Sequence, residues 1–215
     1  MLGQIVAIVI YVVLGIAFVW LVLAKLVSRL AARFGVSSPC PYQLAFLVDT
    51  SWRKKRVDTI LDRVGIQPGD RVLELGPGPG VFTVEAARRA GPEGTLHAVD
   101  IQPKMIDMVR ERIREQGVKN VETHVGSALE LPFENDSIDR AFLITVLPEI
   151  PNPIAALAEI KRVLKPDGIV SISEEFLDPD YPPISTTLFW GRESDLVPAG
   201  RFGSWWQYTV NLRKD

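Results

Sequence analysis

The sequence predicts an α/β domain built on a doubly wound, mostly parallel β-sheet that ends in an antiparallel hairpin, preceded by one N-terminal transmembrane helix. Two observations predict the sheet: short apolar runs alternate with amphipathic helical stretches, and a glycine-rich turn follows the first of these runs. A third observation predicts the membrane helix: no charged residue precedes Lys25. A chain of 215 residues, 47% apolar and 23% charged, is long enough for one such domain and an appendage.

The first segment has the composition of a membrane helix. Residues Leu2–Ala24 carry no charge, and a helix of this length measures about 34 Å, enough to cross a bilayer core. A cleaved secretory signal is the alternative, but the run lacks a basic start and a small-residue cleavage site. We therefore predict a transmembrane helix over residues 1–24, with the lipid bilayer as a partner.

A basic segment follows the apolar run. Lys25, Arg29 and Arg33 fall on one helical face before a proline-containing stretch, so residues 25–41 are predicted to be a basic juxtamembrane helix and linker. Basic residues follow the span but do not precede it, which predicts a single-pass membrane protein whose following domain is cytoplasmic. A second basic run over residues 53–56 is either a lipid-facing surface or a solvated helix face.

Residues 42–215 are predicted to form one domain. The stretch Tyr42–Val64 has the pattern of one or two helices. Strands are then predicted at Arg71–Leu75, Thr95–Val99, Val121–Val125, Arg140–Val146 and Ile169–Ser173. Helices are predicted between them at Val81–Arg89, Lys104–Gln116 and Pro153–Leu164. A short helix, Thr186–Glu193, and a hairpin that ends with Trp205–Leu212 complete the domain.

Composition excludes several classes of partner. The net charge of −2 and the pI near 5.8 give no broad basic surface, so we predict no nucleic acid partner. Cys40 is the single cysteine, so a disulfide within the chain and a cysteine metal cluster are both excluded. His97 and His124 fall in strand-like apolar runs without the spacing of metal ligands. We therefore predict no metal.

The glycine-rich turn is the strongest chemical signal. It follows an apolar strand in the pattern Glu74-x-Gly76-x-Gly78-x-Gly80 and opens a predicted helix. Glycine lets a ligand approach the backbone, and a helix N-terminus offers free N–H groups to an anion. The dinucleotide fingerprint needs a third glycine where this chain has Val81, which weakens the case for a nicotinamide cofactor.

This stretch resembles the first motif of class I S-adenosylmethionine-dependent methyltransferases, a Rossmann-like family, and in particular its type 11-like members. The resemblance continues through Asp100 at the end of the second strand, Gly126–Ala128 after the third, and Glu159–Gly168 before the fifth. It implies S-adenosylmethionine as the cofactor and a small molecule as the methyl acceptor.

The resemblance also implies which residues bind the cofactor. Glu74 would orient its amino end, Asp100 would accept hydrogen bonds from the ribose hydroxyls, and Ile101 would pack on the adenine. Ser127 stands where many relatives have aspartate, so the adenine amino group would meet a hydroxyl or a carbonyl. The complete set implied is Glu74, Gly76, Gly78, Gly80, Asp100, Ile101, Ser127, Ala128 and Thr145.

The acceptor side carries no comparable motif. Many relatives have a histidine after the fourth strand, where this chain has Leu147-Pro148-Glu149, so Glu149 is the first choice for a catalytic residue, ahead of Glu174 and Glu175. Aromatic residues after residue 175 either form a wall of an acceptor pocket or pack the outer strands; they are Phe176, Tyr181, Phe189, Trp190, Trp205 and Trp206.

The predicted membrane helix favours a membrane-associated or amphipathic acceptor, such as a lipid headgroup amine or a quinone-like ring. Two other functions stay open at this stage: a nicotinamide-dependent oxidoreductase, and a non-catalytic membrane-anchored module that retains the fold.

Overall fold

The computed structural model describes residues 2–33 and 39–215. Helix α1, Leu2–Arg33, is continuous and has no break between the predicted span and the basic segment. Within the described residues, no helix combines the length and apolarity needed to cross a membrane, so the transmembrane span predicted over residues 1–24 is not confirmed. Residues 34–38 of the predicted linker lie outside the described residues.

Three short helical elements precede the sheet, where the sequence predicted one or two. They are a 3₁₀ turn, Tyr42–Leu47, then α2, Ser51–Lys54, and α3, Val57–Val64. The side chain of Thr50 caps α2 by accepting a hydrogen bond from the Arg53 N–H at 3.3 Å. Gly65, in the left-handed conformation at φ 71°, ends α3.

Strands and helices then alternate as predicted. In chain order they are β1 Arg71–Leu75, α4 Thr83–Ala90, β2 Thr95–Asp100, α5 Pro103–Glu115, β3 Val121–Val125, β4 Ile138–Ile144, a 3₁₀ turn Leu147–Glu149, α6 Pro153–Val163, β5 Leu164–Glu175, α7 Ile184–Glu193, β6 Leu196–Ser204 and β7 Gln207–Lys214. Pro103 and Pro153 each begin a helix, where a missing N–H costs no hydrogen bond.

The strands form one seven-stranded sheet in the order β3-β2-β1-β4-β5-β7-β6. The first five strands are parallel, while β7 runs antiparallel to both β5 and β6. The order reverses direction between β1 and β4, and open α/β sheets bind ligands beyond the carboxyl ends of the strands at such a point. The predicted mixed sheet with a C-terminal antiparallel hairpin is confirmed.

Several strand boundaries differ from the prediction. β4 ends at Ile144, because Thr145 has a positive φ of 56° that a strand cannot continue. Trp205 and Trp206 form the turn between β6 and β7, whereas the sequence placed them in the last strand.

The core packs on both faces of the sheet. Leu73, Val99 and Leu143 belong to one buried cluster, and Val72 and Leu96 belong to the other. Because successive residues of a strand point to opposite faces, each parallel strand contributes to both clusters and reads as a continuous apolar run. This two-sided core holds the strand ends, and the loops that follow them, in fixed positions.

Candidate functional site

The turn after β1 brings bare backbone to the edge of the sheet. Gly76 and Gly78 have positive φ values of 68° and 54°. A Cβ on Gly76 would lie 2.5 Å from Cγ2 of Val146, so only glycine fits there. A Cβ on Gly78 would meet nothing within 4 Å, and both glycines line a cavity. Gly78 is therefore where a ligand can approach the main chain.

Gly80 lies where the glycine turn leads into α4. It does not line the cavity, and a Cβ at this position would lie 3.4 Å from side-chain atoms of Thr83 and Val109. Its N–H donates to the carbonyl of Pro77 at 2.9 Å. Gly80 therefore turns the chain into α4 and allows close packing against α5.

Glu74 lies beneath the glycine turn with a relative exposure of only 2%. Burial, with a smaller contribution from the charge of Asp100, raises the pKa of its carboxyl to about 8. Its Oε2 atom is buried and has no hydrogen-bond partner among the described residues. A buried carboxyl in this state can be satisfied by a cationic donor from a ligand.

Asp100 is the last residue of β2 and is 7% exposed. Its Oδ1 accepts a hydrogen bond from the Gln102 N–H at 2.8 Å. Burial raises the pKa of Asp100, and the backbone N–H groups of Gln102 and Gly78 oppose that rise. Ile101 lines the same cavity with 59% of its surface exposed, so a flat apolar ring can pack on it.

Ser127 and Ala128 line the cavity after β3. The Ser127 hydroxyl accepts a hydrogen bond from the Leu129 N–H at 3.1 Å, which fixes the turn. Its proton stays available for a ligand acceptor. The sequence assigned Thr145 to cofactor binding as well, and Thr145 also lines the cavity, where its Oγ1 accepts from Nη2 of Arg53 at 2.8 Å.

One cavity of about 840 Å³ joins these residues, within the usual range of ligand pockets of about 300–1,000 Å³. Glu74, the glycine turn and Asp100 line it on one side. Glu149, Asp178 and residues 39–53 line it on another side. Of the residues predicted to bind the cofactor or to act in catalysis, all line it except Gly80 and Glu174.

Glu149 is the only one of the three predicted catalytic carboxylates that lies in this cavity without a cationic partner among the described residues. Its Oε2 accepts a hydrogen bond from the Cys40 N–H at 3.2 Å. Burial raises its pKa to about 8, and the negative charges of Asp178 and Asp180 add to the effect. A group with this pKa is suited to exchange a proton near neutral pH.

The other two carboxylates have different surroundings. Glu175 accepts hydrogen bonds from Nε of Arg53 at 3.1 Å and from the Gln207 amide at 3.2 Å, so its charge is compensated inside the protein. Glu174 is fully buried, does not line the cavity and has a pKa well above the usual range, chiefly because of burial.

Residues 39–53 cover the cavity and are fixed to α5 and the loop before it. The Tyr42 N–H donates to Oε1 of Gln102 at 3.2 Å, and Nε2 of Gln102 donates to the Cys40 carbonyl at 2.8 Å. Further along, Arg112 of α5 pairs with Asp49 at 2.6 Å. This segment therefore contributes a wall of the cavity, although the sequence analysis assigned residues 39–41 to a linker.

Arg53, Asp178 and Asp180 also line the cavity but were not predicted from the sequence. The basic run 53–56 was predicted to face lipid or solvent, but Arg53 points inward to Glu175, and Arg56 donates to the side chain of Gln207 at 2.6 Å. Their partners lie more than 100 residues away, so no local pattern reveals them. The sequence signal for the two acidic residues was the Asp178-Pro-Asp180 stretch in the loop that follows β5.

The aromatic residues after β5 form a cluster beside the cavity. Phe176 contacts Tyr181, Trp205 and Trp206, with ring centroids 5.2–5.6 Å apart. None of these four residues lines the described cavity. Lys25 of α1 lies 4.7 Å from the centre of the Phe176 ring, so the cluster connects α1 to the sheet.

Comparisons with known proteins agree with this geometry. The family model of the methyltransferase domain matches residues 66–187, which is more than half of the chain. The chain belongs to the methyltransferase domain family. The predictions of an S-adenosylmethionine-dependent methyltransferase, and of S-adenosylmethionine as its cofactor, are thereby confirmed.

Individual relatives and solved structures are similar to this chain. A demethylmenaquinone methyltransferase of Lactobacillus johnsonii is 36% identical over 148 residues, which are 68% of this chain and 58% of the relative. A SAM-dependent methyltransferase from Aquifex aeolicus has the same fold, with a TM-score of 0.76, 20% identity, and coverage of 81% of this chain and 98% of that one.

A geranyl diphosphate C-methyltransferase from Streptomyces coelicolor, solved with S-adenosyl-L-homocysteine, also shares the fold. Its TM-score is 0.66 at 15% identity, with coverage of 76% of this chain and 79% of that one. This methyltransferase spans between half and three fifths of the length of the curated relatives it matches.

Proposed function

We propose that this protein transfers a methyl group from S-adenosylmethionine to the ring of a small quinone-like molecule. The observation that carries the proposal is the single cavity, which joins the Glu74–Gly78–Asp100 side to the unpaired carboxyl of Glu149. A methyl donor held on one side and an acceptor held on the other would meet within one enclosure, and methyl transfer needs mainly such alignment.

The residues present fit the cofactor. The unpartnered Oε2 of Glu74 can accept from the ammonium group of its aminoacyl end, and the open space at Gly78 admits that end to the backbone. Asp100 can accept from the ribose hydroxyls, while Ile101 and Ala128 offer apolar surface to the adenine. When bound, the cofactor supplies a sulfonium methyl group as the electrophile.

Glu149 is the proposed catalytic residue on the acceptor side. Its ionised carboxylate would take the proton that the acceptor loses as the new bond to the methyl carbon forms and the sulfur–methyl bond breaks. Residues 39–53 cover the cavity, which limits the access of water to this step. Arg53 holds Glu175 and Thr145 in place and is a positioning residue.

The choice of a quinone-like acceptor draws on the relatives and on the lining. A relative that matches 68% of this chain carries the name demethylmenaquinone methyltransferase. The acceptor side of the cavity offers apolar contacts for a flat ring and its substituents, from Leu44, Val48, Ile150 and Leu177.

A lipid headgroup amine is the second candidate acceptor. It is favoured by the carboxyl groups of Glu149, Asp178 and Asp180, which lie at the same side of the cavity and become ionised when a cation binds beside them. A cationic amine would be attracted there, whereas a neutral ring would not.

We also propose that α1 associates with a lipid surface and thereby brings the cavity close to membrane-dissolved acceptors. Apolar side chains of α1 are exposed in this chain, among them Ile8 at 61%, Tyr11 at 74% and Ile16 at 65%. On the same helix, Nζ of Lys25 donates to the carbonyl of Asp178, a cavity residue, at 2.6 Å.

The proposed activity is tested by Asp100→Ala, with Asp167→Ala at an exposed position as the matched control. We expect Asp100→Ala to weaken binding of S-adenosylhomocysteine by about 100-fold, since two hydrogen bonds to a charged group are lost. Calorimetry of both variants measures this, and titration with NADH checks the nicotinamide alternative. Unchanged affinity in Asp100→Ala would contradict the site.

The acceptor is identified by incubating the full-length protein with methyl-labelled cofactor and either a demethylated quinol or an amine-headgroup phospholipid. Label in the quinol supports the first candidate, and label in the phospholipid supports the second. Tight cofactor binding without label in either acceptor would contradict both acceptor classes.

A further inference from the structure

Two histidines and a carboxylate meet near the edge of the sheet, outside the cavity described above. His97 lies on β2, and Glu122 and His124 lie on β3, the outermost strand at that side. In the parallel register, His97 is paired with Glu122 and Val99 with His124. Glu122 and His124 are two residues apart and share one face of the strand, so the three side chains converge.

The potential ligand atoms of this cluster are already close together. One atom from each of the three side chains lies within 4.8 Å of the other two. Nδ1 of His97 is 3.3 Å from Oε2 of Glu122, and Nε2 of His124 is 4.0 Å from the same oxygen. Tetrahedral zinc with bonds of about 2.0 Å needs ligand atoms about 3.3 Å apart. Small side-chain rotations would therefore bring all three ligand atoms to this spacing.

Three ring nitrogens of these histidines make no hydrogen bond among the described residues. His97 is 4% exposed, and neither of its ring nitrogens makes a hydrogen bond among the described residues. Nε2 of His124 is likewise buried without a hydrogen bond there. Burying imidazole nitrogens in this way costs free energy unless something binds them.

Phe133 restrains the orientation of the two histidine rings. It packs against both, with centroids 4.9 Å from His97 and 5.3 Å from His124.

We propose that His97, Glu122 and His124 bind one transition-metal ion, with zinc as the preferred ion and water as the fourth ligand. Two imidazoles and a carboxylate are a ligand set that zinc accepts with an open fourth position. The Glu122 side chain is 61% exposed, which provides an entry path and room for the water. This proposal replaces the sequence-based prediction of no metal.

A metal at this position would join the edge strand to its neighbour. β3 pairs in the sheet with β2 alone, and Asp100 ends β2 three residues after His97. We therefore expect the ion to stabilise the folded chain by linking two strands, by a free energy that grows with the logarithm of its concentration relative to its Kd.

The test uses full-length protein without a histidine tag, because His97 and His124 are then the only two histidines present. We expect one equivalent of Zn²⁺ to raise the Tm, to shift the imidazole ¹⁵N–¹H NMR signals of both histidines, and to be reversed by a chelator. Co²⁺ in its place should give visible d–d absorption of a tetrahedral site. Absence of saturable binding near one equivalent would overturn the proposal.

Variants locate the site. Glu122→Gln, at an exposed position that the fold tolerates, should weaken Zn²⁺ binding by at least about tenfold, and His124→Gln should weaken it further. Cys40→Ser and Glu115→Gln are controls and should bind Zn²⁺ like the unaltered chain. Wild-type affinity in either ligand variant, or loss of binding in Cys40→Ser, would show that these three residues do not hold the ion.

Discussion

At the scale of single residues, burial controls the charge of the carboxyl groups in the cavity. Glu175 is buried against Arg53 and its charge is compensated. Glu149 has no cationic partner in the part of the chain that the structure describes, and burial raises its pKa to about 8. Asp178, beside it, has a pKa of about 6, again raised mainly by burial. Glu149 and Asp178 therefore release their protons at different pH values and can have different roles.

The raised pKa of Glu149 predicts a pH dependence of the reaction. A carboxylic acid acts as a base only when it is ionised, so kcat/KM should rise about tenfold per pH unit below pH 8 and level off above it. Ionisation of Asp178 would change the rate near pH 6, which separates its effect from that of Glu149 near pH 8. The appropriate measurement is the profile of kcat/KM for the acceptor at saturating cofactor, because Glu74, whose pKa is also about 8, is then already occupied by the cofactor.

Glu149→Gln should lose this rising limb and at least about 100-fold in rate, because the amide cannot take a proton. Its affinity for S-adenosylhomocysteine should stay within a few-fold of the unaltered chain. Glu115→Gln, at the exposed end of α5, serves as the matched control. A Glu149→Gln variant with an unchanged pH profile would exclude Glu149 as the base.

At the scale of elements, the connection from β1 to α4 is close-packed against the segment after β4. Gly76 approaches Val146 so closely that no Cβ fits, and its N–H donates to the Val99 carbonyl of β2 at 2.8 Å. Three strands, β1, β2 and β4, thus meet at one glycine, and the shape of the cofactor side depends on that contact.

This contact predicts a measurable coupling between two positions. Gly76→Ala should destabilise the fold by about 1–3 kcal/mol, since the new methyl group overlaps Cγ2 of Val146. Val146→Ala removes the clash, so the double variant should be more stable than the two single effects predict. Denaturant unfolding of the four proteins of the cycle gives the coupling energy. Simple additivity would show that the clash does not determine the cost.

Gly65→Ala is the comparison that isolates the backbone term. Gly65 also has a positive φ of 71°, but a Cβ there would meet nothing within 4 Å. Gly65→Ala should therefore lower the free energy of unfolding by about 1 kcal/mol, the cost of the left-handed conformation alone. It should show no coupling to Val146→Ala.

At the scale of the whole molecule, the parallel sheet and the cofactor side followed from local patterns. The strand after Asp70 and the glycine turn are contiguous in the chain, and Asp100 is identified by its place at the end of a strand. Periodicity and turn chemistry are local properties, so a single sequence carries them.

The acceptor side did not follow from such patterns, because its contacts join distant parts of the chain. Arg53 and Glu175 are 122 residues apart, and Cys40 and Glu149 are 109 residues apart. His97 and His124 lie on separate strands, and their convergence depends on a register that spacing along the chain does not reveal. The fold has to be known before these groups can be paired.

Helix α1 leads to the last prediction, which concerns where the molecule resides. Exposed apolar side chains occur along it from Val6 to Leu26, and Lys25 joins it to the wall of the cavity through Asp178. The full-length protein should therefore float with vesicles of phosphatidylcholine and phosphatidylglycerol in a density gradient. The driving force is the burial of apolar surface.

The variants are chosen so that lipid association and the cavity can be separated. Ile8→Glu combined with Ile16→Glu places two charges on α1, outside the residues that line the cavity, and should reduce flotation by at least about tenfold, because burying each charge costs several RT. Phe202→Glu, on an exposed strand of the sheet, should float like the unaltered chain. Cofactor affinity should be equal in all three proteins. If the unaltered chain stays at the bottom of the gradient, α1 has another partner and the acceptor must reach the cavity through water.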